Sequence, residues 1–312
     1  MEVACLSNPP GTGPGCHAPA LVRLASGDLL AAWYVYPEDE YRGATIAIAG
    51  QAAGTAAWGR SHAPIRRSVY SAGNPVLFQD PSGVVRLLFV HLHGHYWNDA
   101  VLYECTSPDR GQSWTSPTQA WPTRGLMVRH PPVALQDGTL LLPAYEETSS
   151  QSLLLESRAP YGRWTVRHRF EAAGQIQPSL ARLRDGSLVT LFRPTDDPRR
   201  VWRSFSLNDG SSWSPPIVTS LPTALSGLAA FGWQGGVAAV YNHTHRHERT
   251  PLSVALSHDL GVSWSAPRHL DSSPLEVSYP GFVSDGETSI VGAYCFNRRI
   301  IKVVSLDAGD LP

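Results

Sequence analysis

The sequence predicts an all-β chain folded as a six-bladed β-propeller, because two interlocked repeats run through it with one period. The first repeat is a turn. Ser107-Pro-Asp109-Arg-Gly111-Gln-Ser113-Trp114 recurs as Ser257-His-Asp259-Leu-Gly261-Val-Ser263-Trp264, and Ser206-Leu-Asn208-Asp-Gly210-Ser-Ser212-Trp213 carries Asn in place of Asp. A fourth copy keeps only Ser157 and Trp164, and Trp58 stands where a fifth would end. The tryptophans at 58, 114, 164, 213 and 264 are 56, 50, 49 and 51 residues apart, and a fixed period of this length marks a repeat architecture.

The second repeat is a tight turn followed by an apolar strand. In chain order it reads Gly27-Asp28 before LLAAWY, Ser82-Gly83 before VVRLLFV, and Asp137-Gly138 before TLLLPAY. It continues as Asp185-Gly186 before SLVTLF, Gly235-Gly236 before VAAVY, and Asp285-Gly286 before ETSIVGAY. Such dipeptides supply the positive φ of a hairpin turn, so each marks one β-hairpin and each period holds four strands. An N-terminal strand pairing with the C-terminal one is expected to close the last blade and cover its edges. The period runs from end to end, which predicts one domain over 1–312. The S-x-D-x-G-x-S/T-W turn is an Asp-box. Its Asp accepts backbone N–H groups, its Gly takes positive φ and its Trp packs between strands, so Asp109, Asn208 and Asp259 are assigned a structural role.

Composition agrees. Gly 27 and Pro 26 form about a sixth of the chain, while 42% hydrophobic and 16% charged residues suit a buried core. With 25 Lys+Arg against 26 Asp+Glu there is no basic field for nucleic acid. No run of 18 apolar residues offers a membrane span, and no secretory signal is visible before Cys16; a cytoplasmic protein is expected. Cys5, Cys16, Cys105 and Cys295 are too scattered for a disulfide scaffold and read as free thiols, with a Cys5–Cys16 pair the alternative in an exported protein. The histidine runs at 91, 93 and 95 and at 243, 245 and 247 place three imidazoles on one strand face, but at strand ends and without a partner ligand. They read as solvated or sugar-contacting groups, so no metal or other cofactor is implied.

Aligned, the repeats expose a polar residue before each hairpin, usually followed by Pro: His17, Asn74, His130, Gln177, Ser226 and Tyr279. Rotation about the propeller axis should gather them at one mouth. The far ends of the next strands give a second ring of Tyr34 or Tyr36, His91 or His93, Glu146, Arg193, Asn242 and Asn297. Glu146 is either an acid or a counter-ion to Arg129 or Arg193, and Arg298 is either a surface residue or a neighbour of the mouth. A concave site with convergent polar groups is the expected binding site.

The Asp-boxes, with Cys16-His17-Ala18, GNPVLF (73–78), IQPS (176–179), YNHTHRHERTPLSVALS (241–257) and Val277-Ser278-Tyr279-Pro280, resemble the sialidase superfamily. The match is closest to its bacterial branch of neuraminidases with BNR (Asp-box) repeats. The resemblance implies a glycoside hydrolase, exo-sialidase-like, acting on a terminal acidic sugar of a glycan. It implies Tyr279 as nucleophile and Arg193 and Arg249 as the second and third carboxylate-binding arginines. It also exposes departures: His17 stands where the first arginine is expected, and Gln177 where a tyrosine-activating Glu is expected. The acid/base Asp has no match, and Glu38, Asp39 and Glu40 lie nearest. The candidate catalytic residues are therefore Tyr279, His17, Glu146 and Glu40, with Arg193, Arg249, Gln177, His130, Asn74, Asn242 and Arg129 for binding. His17 and Tyr279 as base and acid would instead make a uronate lyase, and inert versions of both would leave a glycan-binding propeller.

Overall fold

The computed structural model describes residues 1–65 and 68–312. Its strands form six antiparallel sheets that follow one another along the chain, the blades of a propeller. Blade 1 comprises Gly15–Arg23, Leu29–Tyr36 and Thr45–Gln51; blade 2 comprises Ser71–Gln79, Val85–Leu92, Ala100–Ser107 and Thr118–Gln119. Blade 4 begins at Gln175–Arg182, blade 5 at Ala229–Trp233 and blade 6 at Val277–Ser284. The N-terminal strand Glu2–Leu6 pairs with Ile300–Asp307 and completes blade 6, so the ring closes through hydrogen bonds between the two ends of the chain.

Two blades depart from the expected regularity. Among the described residues blade 1 has three strands, and its outer edge is met by single bridges, Ile48 to His62 and Gln51 to Trp58. In blade 3 the inner strand is split into Leu126–Val128 and Val133–Ala134, both pairing with Leu140–Glu146. Elsewhere the hairpin glycines act as read from the sequence: Gly27, Gly83, Gly138, Gly186, Gly235 and Gly286 all have φ between 80 and 91°. The residues between blades are apolar, so each sheet buries both faces; Trp33, Phe89, Tyr145, Phe192, Tyr241 and Tyr294 are all 2% exposed or less.

The recurring turns close the third strand of their blades in one geometry. Asp259 Oδ1 accepts Ser257 Oγ at 2.8 Å and Ser263 N at 2.9 Å, Ser257 Oγ accepts Gly261 N at 2.8 Å, and Trp264 Nε1 donates to Gly261 O at 3.0 Å. Asp109 repeats these contacts. Asn208 does so with its Oδ1, while its Nδ2 donates to Ser212 Oγ at 2.9 Å. Among the described residues no helix is long and apolar enough to cross a membrane.

Candidate active site

The site follows from a bulge repeated in the inner strands. Ala18, Asn74, Gln177 and Tyr279, each preceding a proline, have φ of 48, 46, 51 and 55°, and the strand register slips across each of them. Each side chain is thereby turned off the sheet at the same height. In blade 1 the bulged residue is Ala18 rather than His17, which precedes it, yet His17 still reaches the same space. The resulting cavity, about 250 Å³, is lined by His17, Asn74, Gln177 and Tyr279 together with Tyr34, Glu40, Tyr145, Glu147, Arg193, Arg249 and Arg298; Trp97 and Tyr41 stand at its side.

Tyr279 occupies the centre. Its hydroxyl accepts Arg193 Nη1 at 3.0 Å, and the same Nη1 donates to Gln177 Oε1 at 3.2 Å. Arg249 lies over the Tyr279 ring, 5.2 Å from its centroid, and His17 packs against it at 4.3 Å between ring centroids. Burial opposes ionisation of the phenol, but Arg193 and Arg249 outweigh it and hold its pKa below the ordinary tyrosine value. His17 is shifted the other way. It is 2% exposed, neither ring nitrogen has a protein partner among the described residues, and burial together with four neighbouring guanidiniums lowers its pKa well below the usual value. The imidazole is therefore neutral.

A carboxylate outside the cavity sets two of the arginines. Glu276 receives Arg249 Nη1 at 3.3 Å on Oε1 and Arg298 Nε at 3.2 Å on Oε2; Ser278 Oγ also donates to Oε1, at 2.5 Å. Arg298 Nη1 also meets Glu40 Oε2 at 3.3 Å, which accepts the Tyr34 hydroxyl at 2.6 Å. Burial, its largest influence, raises the Glu147 carboxyl above the usual range against the opposing pull of Arg193 and Tyr145.

Several residues expected at the mouth lie elsewhere. Glu146 faces away because successive side chains at a strand end alternate: it accepts Arg169 Nη1 at 2.9 Å on the outer surface, while Tyr145 and Glu147 face the cavity. His130 falls in the gap of the split blade 3 strand and borders a small void farther along the axis. Arg129 is 2% exposed at the axis, where its Nη2 donates to the carbonyls of Pro19, Tyr279 and Pro280 at 3.2, 2.8 and 3.2 Å; it staples inner strands together below Tyr279 and is not the counter-ion of Glu146, which pairs with Arg169. Asn242 is also buried, its Nδ2 donating to Val277 O at 2.8 Å between blades 5 and 6. Ser226 is buried without lining the cavity, and His91 and His93 pack against Phe89, Tyr70 and Tyr103. Glu147, Tyr145, Trp97 and the clamp Glu276 were missed. A second Glu beside Glu146 was the only visible signal for the first of them.

No curated protein matches the chain by sequence. Its fold is similar to that of a Hadza microbial sialidase, with a TM-score of 0.81 and 15% identity over 95% of this chain and 66% of that one. It is similar to the NanB sialidase of Streptococcus pneumoniae, with a TM-score of 0.80 and 14% identity over 98% and 70% of the two chains. It is also similar to an intramolecular trans-sialidase of Ruminococcus gnavus, with a TM-score of 0.78 and 14% identity over 96% of each. The chain thus spans about two thirds of the length of the first two, and likeness at this identity establishes the fold. By sequence, residues 27–291 match the BNR repeat-like domain. The chain belongs to the BNR repeat-like family and shares the six-bladed, sialidase-like propeller.

Proposed function

We propose that the chain hydrolyses the bond to a terminal acidic sugar, a sialic acid or a related sugar acid, with Tyr279 as nucleophile. One observation carries this reading: a tyrosine hydroxyl at the centre of the cavity accepts a guanidinium hydrogen bond at 3.0 Å, and the arginines around it favour its ionised form. Arg193, Arg249 and Arg298 present donors to the sugar carboxylate, with Glu276 holding the last two in place. Approaching as a neutral phenol, which an anionic sugar does not repel, the Tyr279 oxygen bonds to the anomeric carbon as the glycosidic C–O bond breaks; its proton passes to water, and the arginines stabilise the charge that builds on the oxygen as that proton leaves. Glu147, whose carboxyl retains its proton to higher pH, gives that proton to the departing oxygen and afterwards takes one from water. Gln177 keeps the hydroxyl and Arg193 in register without accepting a proton.

The environment of His17 weighs against the lyase reading. As a base, it would become an imidazolium among Arg298, Arg249, Arg129 and Arg193. The test is product analysis on sialosides and uronate-capped glycans. Free sugar acid released by the wild type and lost in Tyr279→Phe supports hydrolysis. An unsaturated uronate lost in His17→Ala establishes the lyase instead. Glycan bound equally by both variants, without product, leaves a binding propeller.

A further inference from the structure

We propose that Cys16 and Cys295 form a disulfide site that locks the last blade of the propeller to the first. Cys16 lies on the inner strand of blade 1 and Cys295 on the second strand of blade 6. The two meet where the ring closes. Cys295 Sγ lies 3.4 Å from the carbonyl oxygen of Cys16, and both side chains are fully buried in one apolar cluster. Cys16 N donates to Arg298 O at 2.9 Å, so the backbones are already fixed beside each other. Among the described residues the other cysteines lack such a neighbour: Cys5 is exposed on the N-terminal strand, and Cys105 is buried within blade 2, where burial pushes its thiol up to about 12.

The position matters because the pair adjoins the site. His17 follows Cys16, and Arg298 is three residues beyond Cys295 on a hairpin whose Asn297 and Arg298 both have positive φ. A bond between the cysteines ties this hairpin to the His17 strand. The same bond cross-links positions 279 residues apart in sequence, which restricts the unfolded chain.

The chemistry is thiol–disulfide exchange with a small disulfide such as oxidised glutathione. The thiolate of one cysteine attacks a glutathione sulfur, forming a mixed disulfide and releasing one glutathione thiolate. The second cysteine thiolate attacks the protein sulfur of that mixed disulfide, the internal S–S bond forms, and the second glutathione leaves. Two electrons pass to the glutathione disulfide, and the two protons lost by the cysteines are taken up by the released thiolates. Burial holds the Cys295 thiol well above its ordinary value, so thiolate is scarce and closure in the folded protein is slow, accelerating as pH rises.

The test is peptide mapping and thiol counting of the full chain after equilibration with a mixture of oxidised and reduced glutathione at alkaline pH. A parallel sample is refolded from urea in the same buffer, which removes the access barrier. The expected result is a Cys16–Cys295 linked peptide, a fall from four free thiols to two, reversal by reductant, and a higher Tm for the oxidised form. Cys16→Ala and Cys295→Ala should each abolish the linked peptide and the Tm increment. Four free thiols after refolding, glutathione adducts alone, or a bond from Cys5 would overturn the proposal. None of these readouts depends on glycan cleavage, so the site stands or falls separately from the proposed hydrolysis.

Discussion

Replacing Arg193 with Gln should make Tyr279 a weaker acid while leaving the propeller folded. Arg193 Nη1 stands 3.0 Å from the hydroxyl, Arg249 lies over the ring while pairing with Glu276, and burial by itself disfavours the phenolate. A hydrogen bond from a charged donor contributes about 1.5–3 kcal/mol net. Because Arg193 interacts far more strongly with phenolate than with phenol, its loss penalises the ionised form by about 2 kcal/mol. The sign follows directly: a cation that favours the charged form lowers the pKa, so removing it moves the titration upward. The assay is tyrosinate absorbance against pH, with the Tyr279→Phe curve subtracted in each background to isolate one phenol among 11 tyrosines. The subtraction is favourable because burial raises Tyr34, Tyr145, Tyr241 and Tyr294 above the ordinary value. An equal Tyr279 midpoint in the wild type and in Arg193→Gln would refute the electrostatic account and remove the main support for this tyrosine as a nucleophile.

Three further outcomes follow from the geometry. Arg86 pairs with Asp80 at 2.6 Å and Glu104 at 3.1 Å, all with side chains at most 9% exposed; Arg86→Met strands two buried carboxylates and should cost about 3–5 kcal/mol in urea unfolding. Asp259→Asn should leave Tm at neutral pH nearly unchanged, since Asn208 makes the equivalent bonds in its own turn. It should also reduce acid sensitivity: Asp259 is lowered to about 2 by its turn donors, so its contribution is present above the ordinary carboxyl value of 3.8 and is lost as pH falls toward 2. If Glu147 is the proton donor, activity should fall as pH rises through its raised folded value, and Glu147→Gln should abolish that limb of the kcat/KM profile; an unchanged limb would reassign the acid, with Glu40 next to be tested.

The fold was readable because its signals are local. A hairpin glycine works at its own position, and so does a Ser-x-Asp-x-Gly turn, so six of one and three of the other locate the blades without knowledge of packing. The site was only half readable for a related reason. Asn74, Gln177 and Tyr279 announce themselves through the repeated residue-before-proline pattern, which is the sequence trace of the bulge. The groups supplied by strand ends have no such trace: one residue of extension decides between Glu146 on the outer surface and Glu147 in the cavity, and a split strand carries His130 away from the ring. Arg298 shows why matching position by position falls short. Where resemblance leads one to expect a first arginine, the inner strand of blade 1 offers a neutral His17. A third guanidinium nevertheless reaches the same cavity from the outer hairpin of blade 6, held by Glu276 and Glu40. A carboxylate in the cavity responds to where charge stands rather than to which strand carries it. The sign and number of guanidiniums around Tyr279 are therefore better guides to the ligand than the missing arginine. If so, Arg298→Ala should weaken binding of a sugar acid more than of its methyl ester, whereas His17→Ala should not discriminate between them.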